Sequence, residues 1–267
     1  MQVEAQMLEQ QLGIVMKERT DALFTIPAAI LLDREQLAAF LEFYQQQIKG
    51  RDLQVAATYF ASSWRVVCAA LHYALAVAPG KFRFSLDQLT VQIVMVNQFP
   101  WVYYVMNGEA GEPWPLRKHQ GAEELELTGF YDEVLRPVFE QLAAVSGLPV
   151  TQLWGQLPLG VRYYVQALSG QLESTEQRSR LLAKFELGKQ LPGASFGLKR
   201  NPYLIKEIKL DDPYRPGGQT TMKPTCCLAY RTEGDHGYCY GCPKLSKTER
   251  EAKRQSIVER LAAAKAT

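Results

Sequence analysis

Four of the chain's five cysteines fall between residues 226 and 242, as Cys226-Cys227, eleven intervening residues, then Cys239-Tyr240-Gly241-Cys242. Four thiolates this close give a tetrahedral sulfur set for one zinc ion, two sulfurs for each iron of a [2Fe–2S] centre, or the makings of a redox disulfide. Structural zinc usually takes two knuckles of C-x2–4-C form, and only Cys239 and Cys242 have that spacing. Adjacent side chains such as Cys226 and Cys227 tend to diverge, which suits an extended two-iron cluster better than one small ion. Gly234, Gly237 and Gly241 let backbone N–H groups approach sulfur, and Pro243 stiffens the exit. The same glycines would serve a zinc loop, so chemistry alone leaves these alternatives open.

The rest of the chain does not need metal or disulfides to fold. With 267 residues, 47% hydrophobic and 22% charged, it is in the range of ordinary globular proteins with a sizeable core. The start, MQVEAQMLEQQL, lacks the basic and apolar regions of an export signal, so thiols in a reducing, cytoplasmic setting are expected. Neither FTIPAAILL nor VVCAALHYALAVA is long enough to span a bilayer, and no stable membrane insertion is expected. Residues 196–267 hold fourteen Lys or Arg against eight Asp or Glu. That surplus suits an acidic protein partner or an anionic ligand and is too thin for tracking nucleic acid.

Apolar spacing predicts helices over 3–19, over 34–50 after an Asp33 cap, and over 53–78. The β-branched and aromatic stretch 81–106 predicts two or three antiparallel strands, followed by a Gly- and Pro-rich loop to 121 that carries Trp114 and His119. Helices are expected again over 123–146, 150–169 and 173–188, then a linker at 192–202 and a strand over 203–210. Ser246 and Glu249 have capping-box spacing for a last helix, with Ile257, Val258 and Leu261 on one face, expected to pack the cysteine segment against the body. The expected class is α+β: a helix-rich body with a small antiparallel sheet at 1–195, and a four-cysteine segment at 196–267.

The string Cys226-Cys227, Tyr230-Arg231, Cys239, Cys242 resembles the C-terminal signature of the FhuF-type ferric-siderophore reductases. That signature is two adjacent cysteines, about ten residues and then C-x2-C, and this chain has one residue more in the interval. The resemblance covers residues 201–243. It implies that Cys226, Cys227, Cys239 and Cys242 ligate a [2Fe–2S] cluster. It further implies a one-electron reductase of siderophore-bound iron(III), fed by a donor such as a flavodoxin, a ferredoxin or a reductase. Siderophores hold iron(III) far better than iron(II), so reduction frees the metal. The rival readings are a zinc-stabilised scaffold without redox chemistry and an iron–sulfur sensor.

Other candidates are less specific. Trp101, Tyr103, Tyr104, Trp154, Tyr163 and Tyr164 offer flat rings for a bulky chelate, though core packing is the commoner use of such residues. Arg162 would meet an anionic chelate or a surface carboxylate. His236 lies three residues before Cys239, where it would donate to a cluster sulfur or remain a solvated loop residue. Cys68 and His72, one helical turn apart, read as core residues. There is no phosphate-binding glycine loop or H-E-x-x-H sequence, so nucleotide-binding and zinc-hydrolase readings find no support.

Overall fold

A computed structural model describes residues 2–79, 82, 84–107, 122–234 and 237–266. Trp114, His119 and His236 lie outside the described residues, as does most of the expected 107–121 loop. Helix α1 (Gln2–Leu12) is shorter than its apolar spacing predicts. Gly13 ends it in the left-handed region, φ +65°, with its N–H on the Glu9 carbonyl at 3.0 Å. The next residues, Ile14–Val15, form strand β1 instead of further helix.

The sheet is mixed rather than antiparallel. Its order is β1, β4 (Phe99–Met106), β3 (Leu89–Val96), β2 (Ala22–Pro27), and β1 runs parallel to β4 while the other pairs are antiparallel. Asn97 and Gln98, at φ +49° and +63°, make the two-residue turn between β3 and β4, whose twist matches that of the strands. The alternating Phe82, Phe84 and Leu86 are buried, yet no described residue between 82 and 88 is in a strand. Ser85 between them is buried as well, so the alternation marks burial and not pairing.

Helix α2 (Arg34–Gln47) starts at Asp33, whose carboxylate accepts from Glu35 and Gln36 N–H as its sequence predicts. The long apolar run 53–78 is two helices, α3 (Leu53–Ser63) and α4 (Arg65–Val77), meeting at Trp64. Side chains compete for the carbonyls at the joint: Ser63 Oγ donates to Phe60 O at 2.7 Å and Arg65 Nη1 to Ser62 O at 3.1 Å. By length and composition the combined run could cross a membrane, but most of it is buried inside the molecule. Helix α4 is buried from Val66 to Ala76 and packs against α8 (Pro158–Gln171) and α9 (Thr175–Gln190).

The predicted 123–146 helix is continuous but changes pitch. After α5 (Ala122–Gly129) a π-turn covers Phe130–Leu135, and α6 (Arg136–Ser146) follows. Pro137 has no N–H to donate and Arg136 N–H reaches back to the Tyr131 carbonyl, so the ladder widens by one residue there. Short α7 (Val150–Trp154) precedes α8, and its Trp154 is core. The strand expected over 203–210 is only β5 (Lys209–Asp211), paired antiparallel with β6 (Gln219–Thr221) across a turn at 213–217. Last comes α10 (Lys247–Ala266), closed at its start by the expected capping box between Ser246 and Glu249. Of the face expected to dock it, Ile257 is buried and Leu261 partly buried, whereas Val258 is 43% exposed. What ties α10 to the cysteine segment is Arg250, which donates to the Tyr240, Cys242 and Leu245 carbonyls.

Candidate metal centre and adjoining cleft

The cysteine segment is held by its backbone. Gln152 and Gln156 both donate to the Cys226 carbonyl at 3.3 Å, and Thr58 donates to the Cys227 carbonyl at 2.9 Å. Thr225 is gripped between Gln156 Nε2 at 2.7 Å and the Gln152 carbonyl at 3.1 Å. Beyond the pair, Arg231 forms an ion pair with Asp52 and a 2.8 Å bond to Gln54, at the start of α3. Thr232 makes an isolated bridge to Gly50. Cys226 and Leu228 belong to the same apolar core as α3 and α4.

Leu228 takes a left-handed φ of +58°, unusual for a leucine, and reverses the chain directly after the cysteine pair. The reversal aims Leu228 N–H at Cys226 Sγ, 3.4 Å away, and Ala229 N–H at Cys227. On the other side, Cys242 N–H closes a turn on the Cys239 carbonyl at 2.9 Å, and Lys223 N–H joins the turn through the Gly241 carbonyl at 2.8 Å. All four thiols are free and meet in two pairs. Cys226 and Cys242 are 3.5 Å apart and buried; Cys227 and Cys239, half-buried, share a hydrogen bond. The adjacent cysteines thus point to different partners. Among the described residues no group of three or more His, Cys, Asp or Glu side chains converges on one metal position.

Sulfurs bound to one tetrahedral metal at about 2.3 Å lie about 3.7 Å apart. The Cys226–Cys242 separation is close to that value. The second pair, Cys227 and Cys239, is joined by a hydrogen bond, and the two pairs together supply the four thiols that a two-metal sulfur cluster would take. Lys223 Nζ is 3.5 Å from Cys227 Sγ. Burial works against its charge, but Cys227 and Cys239 hold its pKa above the ordinary lysine value. Cys227 is drawn down by the hydrogen bond from Cys239 and then by the Lys223 ammonium, while Cys239, the donor in that bond, is pushed up. Cys226 is pushed up by burial. The outer pair is thereby the readier to carry negative charge.

Cys227 of the outer pair borders a cleft of about 810 Å³ between the sheet, the α3–α4 joint and α8. Of the aromatic residues singled out in the sequence, Trp101, Tyr103 and Tyr164 line it. Trp101 is 46% exposed there. Tyr104 is buried and bonded to Ser63 at 2.7 Å, and Tyr163, 67% exposed and outside the lining, meets Tyr164 edge-on. Arg162 is paired with Glu207 away from the cleft. Cys68 and His72 are fully buried beside Tyr131 and Tyr203, far from a metal-like grouping. Sequence reasoning missed Tyr59, Phe99, Arg65 and Lys223, all of which line the cleft. Lys223 stands three residues before Cys226, and Arg65 is the one charge inside an otherwise apolar run; those were the available signals.

Compared with known proteins, the chain matches no family model and no curated protein.

Proposed function

We propose that this protein is a ferric-siderophore reductase in which Cys226, Cys227, Cys239 and Cys242 hold a [2Fe–2S] cluster and the adjoining cleft receives the ferric chelate. The observation that carries this reading is the contact between the two features: Cys227 is itself part of the wall of the 810 Å³ cleft. A volume of that order suits a ligand of a few hundred to a thousand Å³. The pairing of thiols, two by two, supports a cluster over a single ion. The resemblance of residues 201–243 to the FhuF-type signature points the same way.

When bound, the cluster supplies one electron at a time, which is what iron(III) reduction requires. The chain's own residues do the rest. Leu228 and Ala229 N–H groups and Lys223 face the sulfurs and stabilise negative charge there. Trp101, Tyr59 and Phe99 give the chelate flat apolar faces beside Cys227. The donor is another protein, a flavodoxin, ferredoxin or reductase, attracted by the basic surplus of 196–267, and the setting is the cytoplasm, where the thiols stay reduced.

The test is a spectrum of protein purified without oxygen, with iron, zinc and acid-labile sulfide measured on one sample. Two irons and two sulfides per chain, with a visible band that bleaches on reduction and returns when a ferric siderophore is added, is the expected result. A colourless protein with one zinc would overturn the proposal in favour of a scaffold. A coloured protein that no ferric chelate reoxidises would point to a sensor.

A further inference from the structure

The cleft is charged as well as aromatic, and its charges are unevenly placed. Arg65 enters from the first turn of α4 and Lys223 from just past β6, while Glu9, exposed on α1, is the one acid among the described lining residues. Among the described residues neither Arg65 nor Lys223 is ion-paired with a carboxylate. Half-buried cations without a counter-charge are costly, and proteins usually keep them where a ligand supplies the anion. Lys223 has a partial answer within the chain, since Cys227 Sγ is 3.5 Å from its ammonium. Arg65 has none. Its guanidinium lies 5.9 Å from the centroid of the Tyr164 ring and bonds the Ser62 carbonyl at 3.1 Å, which fixes the fork against the wall of the cleft.

The geometry points to a selectivity filter for charge: the cleft binds metal chelates of net negative charge, with Arg65 as the anchoring residue and Lys223 shielding the incoming anion from the Cys227 sulfur. Trp101 and Tyr59 pack against the flat organic part of the same ligand. The inference rests on the ferric-chelate reading above and adds to it the class of chelate. A guanidinium in a fork geometry recognises the paired oxygens of carboxylate or catecholate arms, which a neutral or cationic chelate does not present with surplus charge. Each cation facing an anion a few Å away at the protein surface is worth roughly tenfold in affinity, and this part weakens with added salt.

Gallium(III) chelates test this without electron transfer, because gallium(III) is not reduced under these conditions. Three are titrated into the full-length protein as purified: a tris-catecholate, which is anionic, a cyclic trihydroxamate, which is neutral, and a linear trihydroxamate bearing a protonated amine. Binding is read by calorimetry and by quenching of tryptophan fluorescence, to which Trp101, 46% exposed in the cleft, contributes. The expected order of affinity is anionic, then neutral, then cationic. Arg65→Gln weakens the anionic chelate roughly tenfold and leaves the neutral one within about twofold, Arg65→Lys restores most of the loss, and Arg162→Gln changes nothing. Equal affinity for the three chelates, or an Arg65→Gln protein that keeps the preference, overturns the inference. Metal and sulfide content measured on the same samples separates the two readings. A two-iron protein without charge preference refutes this inference alone. A colourless zinc protein that still ranks the chelates by charge refutes the redox reading and leaves the anion cleft standing.

Discussion

His72 sets a pH dependence of stability that can be worked out in advance. It lies in the middle of α4, fully buried, edge-on to Phe185 at 5.7 Å and 3.5 Å from the Tyr131 hydroxyl. A Cβ added to Gly188 would come within 2.9 Å of its ring, so the surrounding shell is close-packed. Burial holds its pKa down at about 4 against the ordinary 6.5, with a contact to the Lys184 carbonyl working weakly the other way. The unfolded chain therefore binds a proton more readily than the folded one. The favourable contribution of neutral His72 is intact above pH 6.5, falls as the pH drops from 6.5 toward 4, and is exhausted below that. The full difference corresponds to about 3 kcal/mol, and about 1.4 kcal/mol of it is gone by pH 5.5.

Urea unfolding at pH 7.5 and at pH 5.5, on wild type and on His72→Leu, isolates this contribution. Carboxylates such as Glu207 and Asp212, whose pKa values are lowered by their partners, titrate below this interval, and whatever they contribute is the same in both proteins and cancels in the comparison. Wild type should lose about 1.4 kcal/mol more than His72→Leu over that interval. Because only the pH difference is compared, any constant cost of the substitution drops out. Equal losses in the two proteins would show that His72 is protonated in the fold or solvated, and would refute the burial argument.

Three further outcomes are expected. Cys239→Ser and Cys242→Ser should each abolish iron and sulfide binding, because a hydroxyl is a poor ligand for a soft metal centre, whereas Cys68→Ser, buried beside Tyr131 and Tyr203, should leave the visible spectrum unchanged; metal analysis and absorbance decide both. Gly155→Ala would place a Cβ 2.5 Å from Thr225 Oγ1 and Cγ2, forcing the residue just before the cysteine pair to move; a loss of about 1–3 kcal/mol in urea unfolding and reduced iron per chain are expected. Arg231→Met removes the pair with Asp52 and the bond to Gln54, both partly solvated, so global stability should fall by no more than about 1 kcal/mol while amide exchange over 229–233 speeds up.

What was legible in the sequence is what local chemistry decides. Asp33 and Ser246 announce their helices because a cap is a contact between residues three apart, and the turn between β5 and β6 is written in its prolines and glycines. The sheet was only half legible. Strand β1 is two residues long and owes its existence to β4, about ninety residues on, and β2 carries Pro27 at its end, so neither has a periodicity of its own. The four cysteines were legible as a group, whereas their division into an inner and an outer pair depends on the left-handed turn at Leu228, which no residue type there advertises. The cleft was least legible, since its walls come from α1, the α3–α4 joint, β4 and the cysteine segment at once. Arg65 was nonetheless conspicuous in its own right. A charge in the middle of an apolar run of 25 residues costs too much to be incidental unless the helix breaks there and presents it to a cavity, and the break at Trp64 does both.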